Sequence, residues 1–172
     1  MFYSFQVPKI AAAALREHPH LNARVEDGGM RLFDAIHIGL AVDTERGLIV
    51  PVIREADRKG VAQIARERHD LAERAQGGKL RPDELSGGTF TLTNLGAFEI
   101  DAFTPIVNPP EGAVLGVGRI VKEPVVRDDE LRPGMTVILS LTFDHRLTDG
   151  GPAARFLQRI KLMVEKPHLL LA

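Results

Sequence analysis

The stretch Asp144-His145-Arg146-Leu147-Thr148-Asp149-Gly150-Gly151 has the most chemical capacity in this chain. A neutral imidazole near pH 7 can take a proton from a thiol or a hydroxyl. His145 follows the apolar run 137–143, which reads as a buried strand, so the ring is expected at a strand end where a general base can be held. The other reading is a core or loop histidine with a single backbone hydrogen bond. Asp149 also has two roles open to it. It orients the imidazole, or it pairs with an arginine and fixes the loop; the second is preferred, because a carboxylate at a tight glycine turn often serves the backbone.

A second group is Gly87-Gly88-Thr89-Phe90-Thr91-Leu92-Thr93-Asn94-Leu95-Gly96. Alternation places Thr89, Thr91 and Thr93 on one face of a strand. That face is either a plain β-branched polar surface or the source of a hydroxyl that donates to an oxyanion. Other possibilities are weaker. Gly116-Val117-Gly118 lacks the third glycine of a dinucleotide fingerprint. His18-Pro19-His20 has no further ligand nearby in sequence, so no metal site is expected.

Composition narrows the setting. The 172 residues suit one domain with a real core, 44% apolar and 26% charged. The net charge of -1 gives no pull toward nucleic acid or a membrane surface. There is no cysteine, so disulfides, thiolate metal sites and a cysteine nucleophile are excluded. The apolar runs are too short to span a bilayer. No secretion signal is visible, and a cytoplasmic protein is expected.

These residues need a frame. The periodicity predicts a helix over 4–17, with Pro8 in its first turn, and a turn at Asp27-Gly28-Gly29 between two extended pieces. Strands are expected over 36–42 and 48–53, with Pro51 marking an edge or a bulge. A second helix spans 61–76, ended by Gly77-Gly78, with Arg66 to Asp70 on its solvated face. Further strands are expected over 89–95, 113–120, 124–127 and into His145, with a turn at Arg132-Pro133-Gly134. A last helix covers 152–164. Mixed rather than strictly alternating elements give an α/β domain with a mixed β-sheet.

Four segments in order then resemble one family. Gly47-Leu48-Ile49-Val50-Pro51-Val52, Gly88 to Gly96, Asn108-Pro109-Pro110, and Asp144-His145-Arg146 with Asp149-Gly150 look like the catalytic domain of the dihydrolipoamide acyltransferases. These are the E2 components of 2-oxoacid dehydrogenase complexes. The resemblance covers essentially the whole chain and implies a two-layer sandwich like that of chloramphenicol acetyltransferase, a mixed sheet with helices packed on it. It implies acyl transfer between dihydrolipoamide and coenzyme A as substrates, with no metal.

His145 would be the general base, Thr93 the oxyanion donor in a place where many members carry Ser, and Asp149 the shaper of the His145 loop. One such donor is worth about 3 kcal/mol in the transition state. Thr93 and Asn94 are the expected contacts to coenzyme A or the lipoyl channel.

The family also implies a homotrimer with the active site between subunits, assembling into a 24-mer or a 60-mer. The apolar tail 167–172 either docks one trimer on another or folds back on its own core. Residues 1–172 are expected to be the acyltransferase catalytic domain, incomplete at its N-terminus. Without a lipoyl domain or a peripheral-subunit-binding domain, the chain would accept acyl groups from free dihydrolipoamide or from lipoyl domains of another chain. The alternatives are an inactive structural core or scaffold protein of such a complex, or a chloramphenicol-type O-acetyltransferase.

Overall fold

Alternating apolar residues build the sheet, and its helix-facing side can be followed strand by strand in the computed structural model, which describes residues 6–171. Five strands lie in the order β11 (Leu139–Phe143), β8 (Ala113–Val117), β7 (Phe90–Asn94), β3 (Ile38–Leu40), β6 (Val52–Ile53). The pairs β8–β7 and β7–β3 are parallel, while the outer pairs β11–β8 and β3–β6 are antiparallel. Register aligns Ile38 with Phe90, and Leu40 with Leu92, Leu115 and Leu141, so large apolar side chains share one face. Three helices cover that face: α1 (Val7–Glu17), α2 (Val61–Gln76) and α3 (Gly150–Glu165). Ile10, Leu15, Ile64, Phe156 and Ile160 are almost fully buried there, and each such side chain contributes about 2 kcal/mol by leaving water.

The opposite face carries small and polar residues. Gly39 aligns with Thr91, Val114 and Thr142, and Thr93 with Gly116 and Ser140. The long segment 96–112 covers it. A Cβ at Gly116 would meet the Phe103 ring at 3.0 Å and Pro105 at 3.2 Å.

The predicted helices over 61–76 and 152–164 are present, the latter starting two residues earlier at Gly150. The first helix begins at Val7 with Pro8 in its first turn; the expected start at Ser4 lies outside the described residues. Arg66, His69 and Asp70 are exposed, but Arg68 is half-buried, its pKa lowered by desolvation.

The expected strands 36–42 and 48–53 each break in two. Leu40 N–H donates to Pro51 O at 2.8 Å, and beyond it β4 (Val42–Thr44) and β5 (Gly47–Ile49) form a separate hairpin. Pro51 precedes β6, an edge strand, as a residue without an N–H requires. Residues 23–26 and 29–32 form the expected hairpin, β1 and β2.

Two expectations fail. Arg132-Pro133-Gly134 is no turn but part of β10 (Glu130–Thr136), which pairs with β9 (Val121–Arg127). The turn falls at Asp128-Asp129, both with positive φ, 52° and 61°, a twist that suits a two-residue hairpin loop. Pro133 sits opposite Pro124 in a two-stranded ribbon that needs neither N–H inside a larger sheet. The strand leading to His145 is also half-buried rather than buried, because β11 is an outer strand. The tail folds back as a short 3-10 helix, Pro167–Leu171, with Leu169 and Leu170 packed against the core.

Candidate active site

His145 stands just past the end of β11, on a turn held from both sides. Asp144 N–H donates to Gly112 O at 2.8 Å, extending the β11–β8 pairing by one step. The Asp144 carboxylate accepts from Arg146 N–H at 2.9 Å and from its guanidinium at 2.6 Å. Those hydrogen bonds hold the Asp144 carboxyl below its ordinary range. Leu147 is buried behind the turn, and a Cβ at Gly112 would lie 2.2 Å from its Cδ1. The backbone under the imidazole is therefore fixed by packing and by charge together.

The ring itself is open. The His145 side chain is 71% exposed, its Nδ1 3.5 Å from Asp149 Oδ1, and it leans on the Phe143 ring at 5.3 Å between centroids. Asp149 is the N-cap residue of α3. Among the described residues its carboxylate faces the His145 ring and not an arginine, an arrangement that suits the orienting role. Nδ1 lies on the carboxylate side of the ring and Nε2 on the far side.

Thr93 and Asn94 lie elsewhere. Thr93 is half-buried on the small-residue face of β7. The pleat puts Asn94 on the other face, and its Oδ1 accepts from Gly96 N–H at 2.8 Å, closing the turn that ends the strand. The two therefore do not share a surface.

Thr93 also stands far from His145 in the same chain. It aligns with Ser140 two strands away, and Asp144 lies four residues beyond Ser140. That is about 13 Å along the strands and about 10 Å across them, on the order of 16 Å in all. No side-chain rotation spans that gap.

One buried acid was not anticipated. Glu111 is only 8% exposed, and Thr91 Oγ1 lies 2.6 Å from its Oε2. Burial, opposed by hydrogen bonds from Thr91 and Asn108, pushes its carboxyl up to about 7. The sign available in sequence was an acid followed directly by Gly112 and the apolar run of β8. Among the described residues no group of three His, Asp or Glu is placed to hold a metal, and no helix is long and apolar enough to cross a membrane.

Comparison with known proteins agrees with this frame. Residues 3–172 match the family model of the 2-oxoacid dehydrogenases acyltransferase catalytic domain. The dihydrolipoyllysine-residue acetyltransferase component of the acetoin cleaving system of Bacillus subtilis is 42% identical over 165 residues. That match covers 96% of this chain, and the chain spans 42% of that relative's length.

The dihydrolipoamide acetyltransferase of Azotobacter vinelandii superposes with a TM-score of 0.94 at 38% identity, covering 98% of this chain and 70% of that one. Its structure was determined to examine the role of a serine, a histidine and an asparagine in its catalytic mechanism. The cubic core of a pyruvate dehydrogenase multienzyme complex matches with the same TM-score, identity and coverage. Chloramphenicol acetyltransferase, at 16% identity and a TM-score of 0.57, shares the fold, as expected. The match over nearly the whole chain, together with the shared fold, shows that this chain belongs to the 2-oxoacid dehydrogenase acyltransferase family and corresponds to its catalytic domain.

Proposed function

We propose that this chain is the catalytic domain of a dihydrolipoamide acyltransferase and moves an acyl group between dihydrolipoamide and coenzyme A. One observation carries the residue assignment. The serine, histidine and asparagine studied in the Azotobacter protein are spaced along that chain as Thr93, His145 and Asp149 are along this one. His145 Nε2 takes the proton of the attacking thiol. The thiolate attacks the thioester carbonyl, and the Thr93 hydroxyl donates to the oxyanion that forms. Collapse expels the second sulfur as a thiolate, which takes the proton back from the imidazolium. Acetyl is the acyl group we assign first, from the names of the relatives.

The separation of Thr93 from His145 supports a site built between two subunits, with His145 from one and Thr93 from the next. A homotrimer closes three such sites, and the match to a cubic core supports its further assembly into a 24-mer. The wide exposure of the His145 ring supports the same reading, since a base that works on a thiol gains from a neighbour that excludes water. Apolar side chains left in solvent, Ile106 at 91% and Phe98 at 61% exposure, offer contact surface beside the segment that follows Thr93. Lipoyl domains would deliver the acyl group.

The test is transfer from acetyl-coenzyme A to free dihydrolipoamide by wild type and by His145→Ala. The expected loss is at least about 1000-fold in kcat. A wild type that assembles into large particles and transfers nothing would instead mark a scaffold, and acetylation of hydroxyl compounds alone would mark the chloramphenicol type.

A further inference from the structure

Glu111 is a carboxyl in an unusual seat. It lies between two glycines that leave it room: a Cβ at Gly88 would stand 2.6 Å from Glu111 Oε1, and one at Gly39 3.6 Å from it. Thr91 faces it from β7, and Asn108 Nδ2 lies 3.5 Å from Oε1 on its own segment. The strands around it, β3, β6, β7 and β8, carry no ionisable side chain. Nothing there neutralises a charge on it, and the core gains nothing from an acid that an apolar residue would not supply.

What Glu111 does have is position. Thr91 is two residues before Thr93 on the same face of the same strand. On the other side, Gly112 O is the acceptor for Asp144 N–H, and Leu147 closes over Gly112. A continuous path thus runs from the Thr93 strand through Thr91, Glu111 and Gly112 to the turn that carries His145.

We propose that Glu111 is a positioning residue for the acyl transfer, locking the His145 turn to the strand that presents Thr93 so that the two half-sites one chain contributes, each to a different site of the ring, keep a fixed geometry relative to each other. The proposal rests on the function argued above. Glu111 touches no substrate; it acts through Thr91 and Gly112. The uncharged acid holds both hydrogen bonds at no cost in buried charge. Because burial drives this carboxyl to about 7, the anion forms above neutral pH; Thr91 and Asn108 still donate to it, but its desolvated charge meets no cation on the surrounding strands, and that cost strains the joint there.

The experiment compares wild type, Glu111→Gln and Glu111→Ala as intact assemblies, with acetyl-coenzyme A and free dihydrolipoamide, from pH 6 to pH 9. Glu111→Ala is expected to lose on the order of 100-fold in kcat, with KM changed less than about threefold, as misplaced catalytic groups do. Glu111→Gln, which keeps the neutral hydrogen-bonding shape, should stay within about threefold of wild type at pH 6.5 and lack the share of the alkaline decline that wild type shows above about pH 7. A Glu111 that only supports the fold would lower thermal stability and leave the kcat profile of Glu111→Gln superimposed on that of wild type. That superposition overturns the proposal, and so does a Glu111→Ala assembly with wild-type kcat. If Glu111→Ala does not assemble, the profile of Glu111→Gln decides alone. A wild type with no His145-dependent transfer is a different result: it removes the function itself, and this role with it.

Discussion

The imidazole of His145 is held by its backbone rather than by its ring. Arg146 clamps Asp144, Leu147 fills the space behind, and Asp149 touches only one nitrogen. The Azotobacter protein has an asparagine at the spacing of Asp149, so the proposed orienting role asks for a polar side chain there and not for a negative charge. Asp149→Asn should therefore keep kcat within about fivefold, while Asp149→Ala loses more than about tenfold. The same logic applies to Thr93, whose proposed role needs only its hydroxyl. Thr93→Ser should stay near wild type, and Thr93→Ala should lose about 100-fold to 1000-fold in kcat with little change in KM. Steady-state kinetics on the four variants checks both residues. Equal loss in Ala and conservative variants would show that shape, not hydrogen bonding, is what these positions supply.

At the scale of elements, the weight falls on the joint between β8 and the His145 turn. Gly112 has no space for a methyl group, with Leu147 Cδ1 and Ala23 O both inside contact distance. Gly112→Ala must push the turn or the β1 strand aside, so we expect a loss of about 2 kcal/mol in stability and a fall in kcat larger than in any variant of the exposed β9–β10 ribbon. Thermal unfolding and kinetics on the same preparation measure both.

The sequence made the long periodic elements legible, since α2 and α3 announce themselves through apolar residues three and four apart, and β7 through alternation. The candidate histidine stood out because a polar motif directly follows an apolar strand. Other features were not. The turn at Asp128-Asp129 depends on two aspartates taking positive φ, while the Pro-Gly pair nearby is a stronger local signal and lies inside a strand. Glu111 depends on niches at Gly39 and Gly88, which come from distant parts of the chain and meet only in the folded sheet. Opposite facing of Thr93 and Asn94 was implied by the pleat, but the two adjacent polar residues read more readily as one site.

For the whole molecule, the open features all point outward. β11 is an outer strand, the His145 ring faces solvent, and Phe98, Ile106, Leu131 and Met135 leave apolar surface exposed. On the proposed function, a single chain thus has a finished core and two half-sites that a neighbour completes. Their distance, on the order of 16 Å by strand geometry, has a consequence in genetics. Two alleles, one with Thr93→Ala and one with His145→Ala, each encode a subunit with one sound half. Co-expressed and assembled at random in a closed ring, they place a sound histidine opposite a sound threonine at about one site in four. The paired strain should recover roughly a quarter of wild-type transfer, while either allele alone, or the two proteins mixed after assembly, recovers almost none. Were both halves drawn from one chain, the two mutations would fail to complement, however the subunits were combined.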